Sequence, residues 1–379
     1  MGSIGETYSN GHSAVASTSG GQYPRKPLRQ SGLLNEKFES EDVTPVIGRE
    51  FANVNIVDDL MKSADADTLL RDLAITISER GVVFFRKQDN LTDGVQKKFI
   101  QRLGELTGKP SSSTLHIHSI LVGSSEFGHD LEISNISLLN DQRLSPKLFD
   151  ANGEINNKRK YDAAQWHSDI QFEPAPADYT SLRLTQLPQT GGDTLWASGY
   201  EIYDRMSRPW QQFLEGLTAT FIGDGFIRAE QQGRATLYDQ PRGSPLNVGK
   251  HLSAVHPAVR TNPVTGWKTV FAIGTFPKAF NELNAEESEE LSRKLHGMIV
   301  NNHDLQVRFK WRNENDIAIW DNRCVFHCAT FDYDQLGERF GHRAVGIGEA
   351  PYLDPNSQSR SEALGSLEIS PEKRPARLE

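Results

Sequence analysis

Apolar residues recur at Leu69, Leu70, Leu73, Ile75 and Ile77, a near-helical spacing that predicts a helix over Ala66–Arg80, closed by Gly81. The run Val82-Val83-Phe84-Phe85 that follows is β-branched and aromatic, so it predicts a buried strand. Val95, Phe99, Ile100, Leu103 and Leu106 mark a second amphipathic helix over Asp93–Leu106, and Leu291, Leu295, Met298 and Ile299 mark another over Ala285–Val300.

Most of the remaining pattern consists of short strands, predicted over 181–187, 194–197, 268–273, 306–311, 317–320, 324–329 and 343–347. Gly191-Gly192-Asp193 and Asp321-Asn322 supply hairpin-type punctuation between them. Many short strands with a few helices at one end predict a mainly β fold with flanking helices. The expected architecture is a double-stranded β-helix (jelly roll, cupin-like), which shields most strand edges. No internal repeat and no Pro/Gly/Ser linker divides the middle of the chain, so one domain is expected over 31–355. Residues 1–30, rich in Ser, Gly and Thr, are expected to be a flexible N-terminal segment, and 356–379 a C-terminal tail.

Composition narrows the function classes. With 50 acidic against 41 basic residues and no block of like charge, the chain lacks a nucleic-acid footprint. A few arginines converging in a pocket would still bind an anion. No apolar run approaches the roughly 20 residues that span a bilayer, so no membrane is expected. The two cysteines, Cys324 and Cys328, are too few for a disulfide framework and read as small apolar packing groups. The first 21 residues lack a secretory signal's basic and apolar regions, Glu6 breaks the myristoylation pattern, and no arginine precedes Arg25. Cytoplasm is the expected location.

The candidate chemistry lies in Gln165-Trp166-His167-Ser168-Asp169. Side chains two apart on a strand share a face, so His167 and Asp169 can offer an imidazole nitrogen and a carboxylate oxygen to one metal ion. A third ligand is needed, and His327, in a strand-like run after the Asp321-Asn322 turn, could approach from a facing strand. Two histidines and one carboxylate leave three positions of an octahedral ion open, the arrangement of non-haem iron(II) oxygenases. An isolated His-x-Asp arises by chance in many proteins, and His251, His256, His296, His303 and His342 have ordinary surface or core explanations.

Several long segments then carry a resemblance: ERGVVFFRKQ (79–88), LTQLPQTGGDTLWASGYEIYDRMS (184–207), HPAVRTNPVTGWKTVF (256–271) and NDIAIWDNR (315–323). In these the chain resembles the taurine dioxygenase family of Fe(II)- and 2-oxoglutarate-dependent oxygenases, and especially its fungal sulfonate dioxygenase branch, over roughly residues 54–355. The resemblance implies iron held by His167, Asp169 and His327, with 2-oxoglutarate as co-substrate and O2 as oxidant. It implies that Thr194 and Arg339 bind the 2-oxoglutarate carboxylate. It places substrate contacts at His118, Ile170, Phe276 and Arg343, with no catalytic residue beyond the metal ligands. A planar guanidinium suits both anion sites. Family members are often oligomeric, which keeps a homo-oligomer in view, but no self-association surface is legible in the sequence.

The expected activity is hydroxylation of a small anion, foremost an organosulfonate such as taurine, releasing sulfite and an aldehyde with succinate and CO2. Two positions that help to recognise taurine in the family correspond to Ala163 and Leu121 here, and the loop after His327 is one residue longer. These departures keep a carboxylate, sulfate ester, purine or secondary-metabolite substrate in view. A non-catalytic metal-binding jelly-roll protein is the third reading.

Overall fold

In a computed structural model describing residues 25–121, 130–137, 165–333 and 335–365, helix Ala66–Arg80 forms where the spacing predicts it and buries Leu69, Leu70, Leu73 and Ile77. It stops at Gly81, whose φ of 76° disfavours any residue with a Cβ. A Cβ there would also lie 2.6 Å from Val325 Cγ1, so the turn and the packing both require glycine.

The strand Val82–Phe85 is buried at all four positions because each of its faces meets a core. Val83 and Phe85 pack with Leu69, Leu73 and Phe99 under the helices, while Val82 and Phe84 pack with Trp196, Val307 and Phe309. This strand belongs to a seven-stranded sheet in the order Glu41–Asp42, Arg49–Phe51, Val82–Phe85, Ile317–Asp321, Ala177–Gln186, Phe340–Ile347, Ser134–Ser137. All its pairings are antiparallel except that of Arg49–Phe51 with Val82–Phe85. Against it packs a three-stranded antiparallel sheet, Gln306–Phe309, Thr194–Ser198, Val325–Ala329. Phe84 stacks on Phe309 at 4.2 Å between ring centroids, and Trp196 meets Trp320 at 5.6 Å, closing the interface with aromatic surface.

The helices Asp93–Leu106 and Ala285–Val300 have the predicted bounds, and the latter starts with a capping box between Asn284 and Glu287. The two turns read as hairpin punctuation do something else. Each carries the chain from the large sheet to the small one: 191–193 lies between Ala177–Gln186 and Thr194–Ser198, and 321–322 between Ile317–Asp321 and Val325–Ala329. Turn residues specify a reversal of the chain but not which strand it pairs with next; long-range burial decides that. The strand predicted over 268–273 ends at Val270, where the Phe271 and Ala272 N–H groups both turn to Ala258 O. A third sheet, Ser253–Pro257, Thr218–Ile222, Pro277–Phe280, was not predicted. The architecture is therefore mainly β sheet with flanking helices. No helix among the described residues is long and apolar enough to cross a membrane.

Residues 25–30 dock on this body through the Leu28 N–H to Val264 O and Arg25 to Gly108 O. Residues 360–363 form a short helix whose Arg360 pairs with Glu201. Residues 1–24 and 366–379 of the expected terminal segments lie outside the described residues.

Four residues beyond Asp169, Glu173 pairs bidentately with Arg242, Nε to Oε1 at 2.5 Å and Nη2 to Oε2 at 3.0 Å, with both side chains 1% exposed. Arg242 also donates to Tyr238 O and Gly249 O, so the pair ties the 238–249 loop to the segment that carries the metal candidates. Removing one member of such a pair strands the other charge in the interior. Glu173→Gln is expected to destabilise the fold by about 3–5 kcal/mol. Chemical denaturation measures this, and an unchanged midpoint would refute the assigned role.

Candidate metal centre

His167 and His327 are joined directly through their backbones. The His167 N–H donates to His327 O at 3.1 Å and the His327 N–H to His167 O at 2.8 Å, an antiparallel bridge at the free edge of the small sheet. Opposed residues of such a bridge project to the same side, and the two imidazole centroids lie 4.3 Å apart. His327 thus arrives as the paired neighbour of His167, not from a facing strand as expected.

Nor does Asp169 share a strand with His167. After the bridge the chain turns through Ser168 and Asp169 into Ile170, whose φ of 48° places a β-branched residue in the left-handed region. The turn is held by Asn322, at the corner where the chain changes sheets. Asn322 Oδ1 accepts from the Asp169 N–H at 3.0 Å and from Trp320 Nε1 at 3.0 Å, while its Nδ2 donates to Asp178 O and Thr180 Oγ1. Its backbone O accepts from Ser168 Oγ at 2.6 Å.

Bridge and turn together set ligand-type atoms of His167, Asp169 and His327 within 4.8 Å of one another. His327 Nε2 lies 3.9 Å from Asp169 Oδ1. His167 Nδ1 is 2.7 Å from Gln165 O, which fixes the proton on Nδ1 and leaves the Nε2 lone pair for a metal. Burial lowers the pKa of both histidines, taking His327 to about 3. Burial pushes the Asp169 carboxyl the other way, but Arg343 and the two imidazoles outweigh it and bring it to about 2. At neutral pH all three groups are unprotonated, as metal ligation requires. Two neutral imidazoles and one carboxylate fit a ferrous ion with positions to spare.

The other expected site residues gather around this cluster. Arg343, on strand Phe340–Ile347, donates from Nη1 to Asp169 Oδ1 at 2.9 Å, and its buried Nε has no hydrogen-bond partner among the described residues. Arg339 donates from Nη2 to Thr194 Oγ1 at 3.2 Å and from Nε to Gly192 O, and both Arg339 and Thr194 are buried. Thr194 is paired with Ala329, on the strand that carries His327. Phe276 meets the His167 ring edge-on at 6.0 Å. His118 sits with Nδ1 against Ile120 O and N, and its pKa falls to about 4 through burial and then the nearby Arg343 charge. Ala163 and the Leu121 side chain lie outside the described residues. Cys324 packs in the core beneath the corner, as its apolar reading implied.

Sequence reasoning missed Asn322 and Gln165. The available signal was the position of Asn322 in a turn ahead of the ligand strand, which tells of chain reversal and not of its hydrogen bonds to Ser168, Asp169, Asp178 and Thr180. His167→Ala and Asp169→Ala are expected to abolish stoichiometric binding of Fe(II) or its surrogate Mn(II), read by metal analysis after equilibrium dialysis. Asn322→Ala keeps every ligand and should weaken metal affinity about 10- to 100-fold by releasing the turn that aims Asp169. Wild-type affinity in that variant would remove Asn322 from the site.

Known proteins resemble this chain in sequence and fold. The family model described as "Taurine catabolism dioxygenase TauD, TfdA family" matches residues 39–345. A protein of Neocamarosporium betae named "Alpha-ketoglutarate-dependent dioxygenase btcD" is 47% identical over 358 residues, covering 89% of this chain and 98% of its own length. The "Alpha-ketoglutarate-dependent sulfonate dioxygenase" of Saccharomyces cerevisiae is 30% identical, covering 88% of this chain and 74% of its own. A crystal structure of a taurine dioxygenase from Burkholderia xenovorans superposes with a TM-score of 0.60 at 22% identity, over 84% of this chain and 94% of that one, which shows a common fold.

Proposed function

The chain belongs to the taurine catabolism dioxygenase TauD, TfdA family, and from that premise we propose that it is an Fe(II)- and 2-oxoglutarate-dependent dioxygenase hydroxylating a small anionic substrate, foremost an organosulfonate. The observation that carries this reading is the meeting of His167, Asp169 and His327 within 4.8 Å, with all three in the protonation state a metal needs. In this reading the two sheets form a jelly roll and residues 31–355 are one catalytic domain.

His167, Asp169 and His327 hold the iron. The buried Arg339 guanidinium and the Thr194 hydroxyl, already 3.2 Å apart, receive the distal carboxylate of 2-oxoglutarate through charge-assisted hydrogen bonds. Arg343 and His118 receive the substrate anion, aided by the Ile170 N–H that the left-handed backbone aims, and Phe276 walls the reacting carbon. When bound, ferrous iron supplies dioxygen activation coupled to decarboxylation of 2-oxoglutarate to succinate and CO2. The protein positions both organic molecules and excludes water. Hydroxylation at a carbon bearing a sulfonate would release sulfite and leave an aldehyde.

The unpaired Arg343 Nε supports an anion of some kind without choosing its chemistry, so a carboxylate or sulfate ester is the second reading. A substrate panel assayed for succinate and sulfite distinguishes them. Sulfite matched to succinate is expected with a sulfonate, whereas succinate stimulated only by other anions would transfer the assignment to the second reading. Arg339→Ala is expected to raise the KM for 2-oxoglutarate about 10- to 100-fold while iron binding persists, from the loss of a charged hydrogen bond. An unchanged KM would place the co-substrate elsewhere.

A further inference from the structure

Five rings make one continuous strip beside the metal centre. Phe276 meets His167 at 6.0 Å, Phe172 meets Phe276 at 5.0 Å, Phe226 meets Phe172 at 5.4 Å, and His118 meets Phe226 at 5.6 Å with planes 89° apart. Phe172, at the centre, is fully buried in the main core, whereas His167, Phe276, Phe226 and His118 each stay partly accessible. Rings that merely filled the interior would be covered on every side. A strip with its middle sunk into the core and its flanks open is a wall. Gly223, just ahead of the helix Asp224–Gln231 that carries Phe226, keeps the approach close: a Cβ there would lie 3.1 Å from Phe172 Cγ.

Among the described residues, the ring contacts of this strip reach a polar side chain only at its ends. His167 belongs to the metal centre at one end, and at the other His118 already engages Ile120 through Nδ1. The three aromatic residues between them offer no hydrogen bond, so whatever lies along them must be apolar. Charge sets the head group. Arg339 and Arg343 contribute two positive charges and Asp169 one negative, and a ferrous ion with a 2-oxoglutarate dianion cancel each other. One positive charge is left over.

Resting on the reading above, we infer that the substrate is a monoanion whose reacting carbon is attached to a bulky apolar body lying along Phe276 and Phe226, which the buried Phe172 backs, with Phe226 a specificity-determining residue that disfavours two-carbon sulfonates such as taurine. Each methylene moved from water onto such a wall favours binding about fourfold. A short, doubly charged substrate gains nothing from it.

The test uses the full chain with Fe(II) and 2-oxoglutarate and two homologous series, n-alkane-1-sulfonates and n-alkanoates of two to eight carbons, with taurine alongside. Turnover is read as succinate release, and binding as perturbation of the weak visible band of the anaerobic iron–2-oxoglutarate complex. kcat/KM or affinity is expected to rise about fourfold per methylene over several members of one series. Phe226→Ala should flatten that rise, lowering the eight-carbon member far more than the two-carbon one. Phe226→Leu, which keeps apolar bulk, should restore most of the slope and guards against a folding defect in the alanine variant. Two flat series, two series that neither turn over nor perturb the band, or an undiminished slope in both variants would overturn the inference while the iron–2-oxoglutarate band stands. Absence of the band in folded wild-type protein would instead bring down the oxygenase reading, and the inference with it.

Discussion

Two backbone hydrogen bonds, exchanged between His167 and His327 at 3.1 and 2.8 Å, hold the imidazoles side by side, and the rest of the site is built outward from them. An isolated bridge of this kind would fray at a sheet edge. Here it is supported from both directions: His327 lies on a strand paired with Thr194–Ser198, and Ser168 and Asp169, immediately after His167, are held by Asn322. The corner that turns the chain from the large sheet to the small one therefore also aims the carboxylate. Changing the corner changes the ligand geometry without touching a ligand.

The same compactness creates an electrostatic problem. Burying Asp169 disfavours its charge, and burying the two histidines disfavours theirs. The solution differs by residue: the histidines simply stay neutral, while the carboxylate stays ionised because the Arg343 guanidinium donates to it at 2.9 Å. Arg343 stands on the large sheet and His327 on the small one. The Arg343–Asp169 ion pair therefore fastens the ligand turn to the large sheet, the His167–His327 bridge fastens it to the small one, and the aromatic contacts of Phe84 with Phe309 and of Trp196 with Trp320 join the two layers.

Local periodicity made the helices legible: Ala66–Arg80, Asp93–Leu106 and Ala285–Val300 occupy the predicted bounds because each carries its own apolar stripe and termination chemistry. The His-x-Asp pair and His327 were legible because few residue combinations make a ferrous site. What was not legible depended on residues far apart in sequence. Neither the pairing of His167 with His327 nor the left-handed turn at Ile170 leaves a pattern in its own neighbourhood. The role of Asn322 is invisible for the same reason, since its partners at 168, 169, 178 and 180 are assembled only by the tertiary fold.

The division of labour among the elements explains how one chemistry can serve different substrates. Groups assigned to iron and 2-oxoglutarate sit on or beside paired strands of the two sheets: His327 and Thr194 on the small sheet, Arg339 just before the large-sheet strand Phe340–Ile347. Of the groups proposed to face the substrate, Arg343 stands on that same strand, and the others come from elsewhere. His118 lies in the loop before Ile120–Leu121, Phe226 on the helix Asp224–Gln231, and Phe276 immediately before Pro277–Phe280 of the third sheet. Strands paired on both edges tolerate little change without loss of register, whereas loops and a peripheral helix can vary with the scaffold intact. A common fold at 22% identity is thus compatible with different substrates. On the proposed reading, the residues most informative about this chain's own substrate are the aromatic ones that the sheets do not dictate.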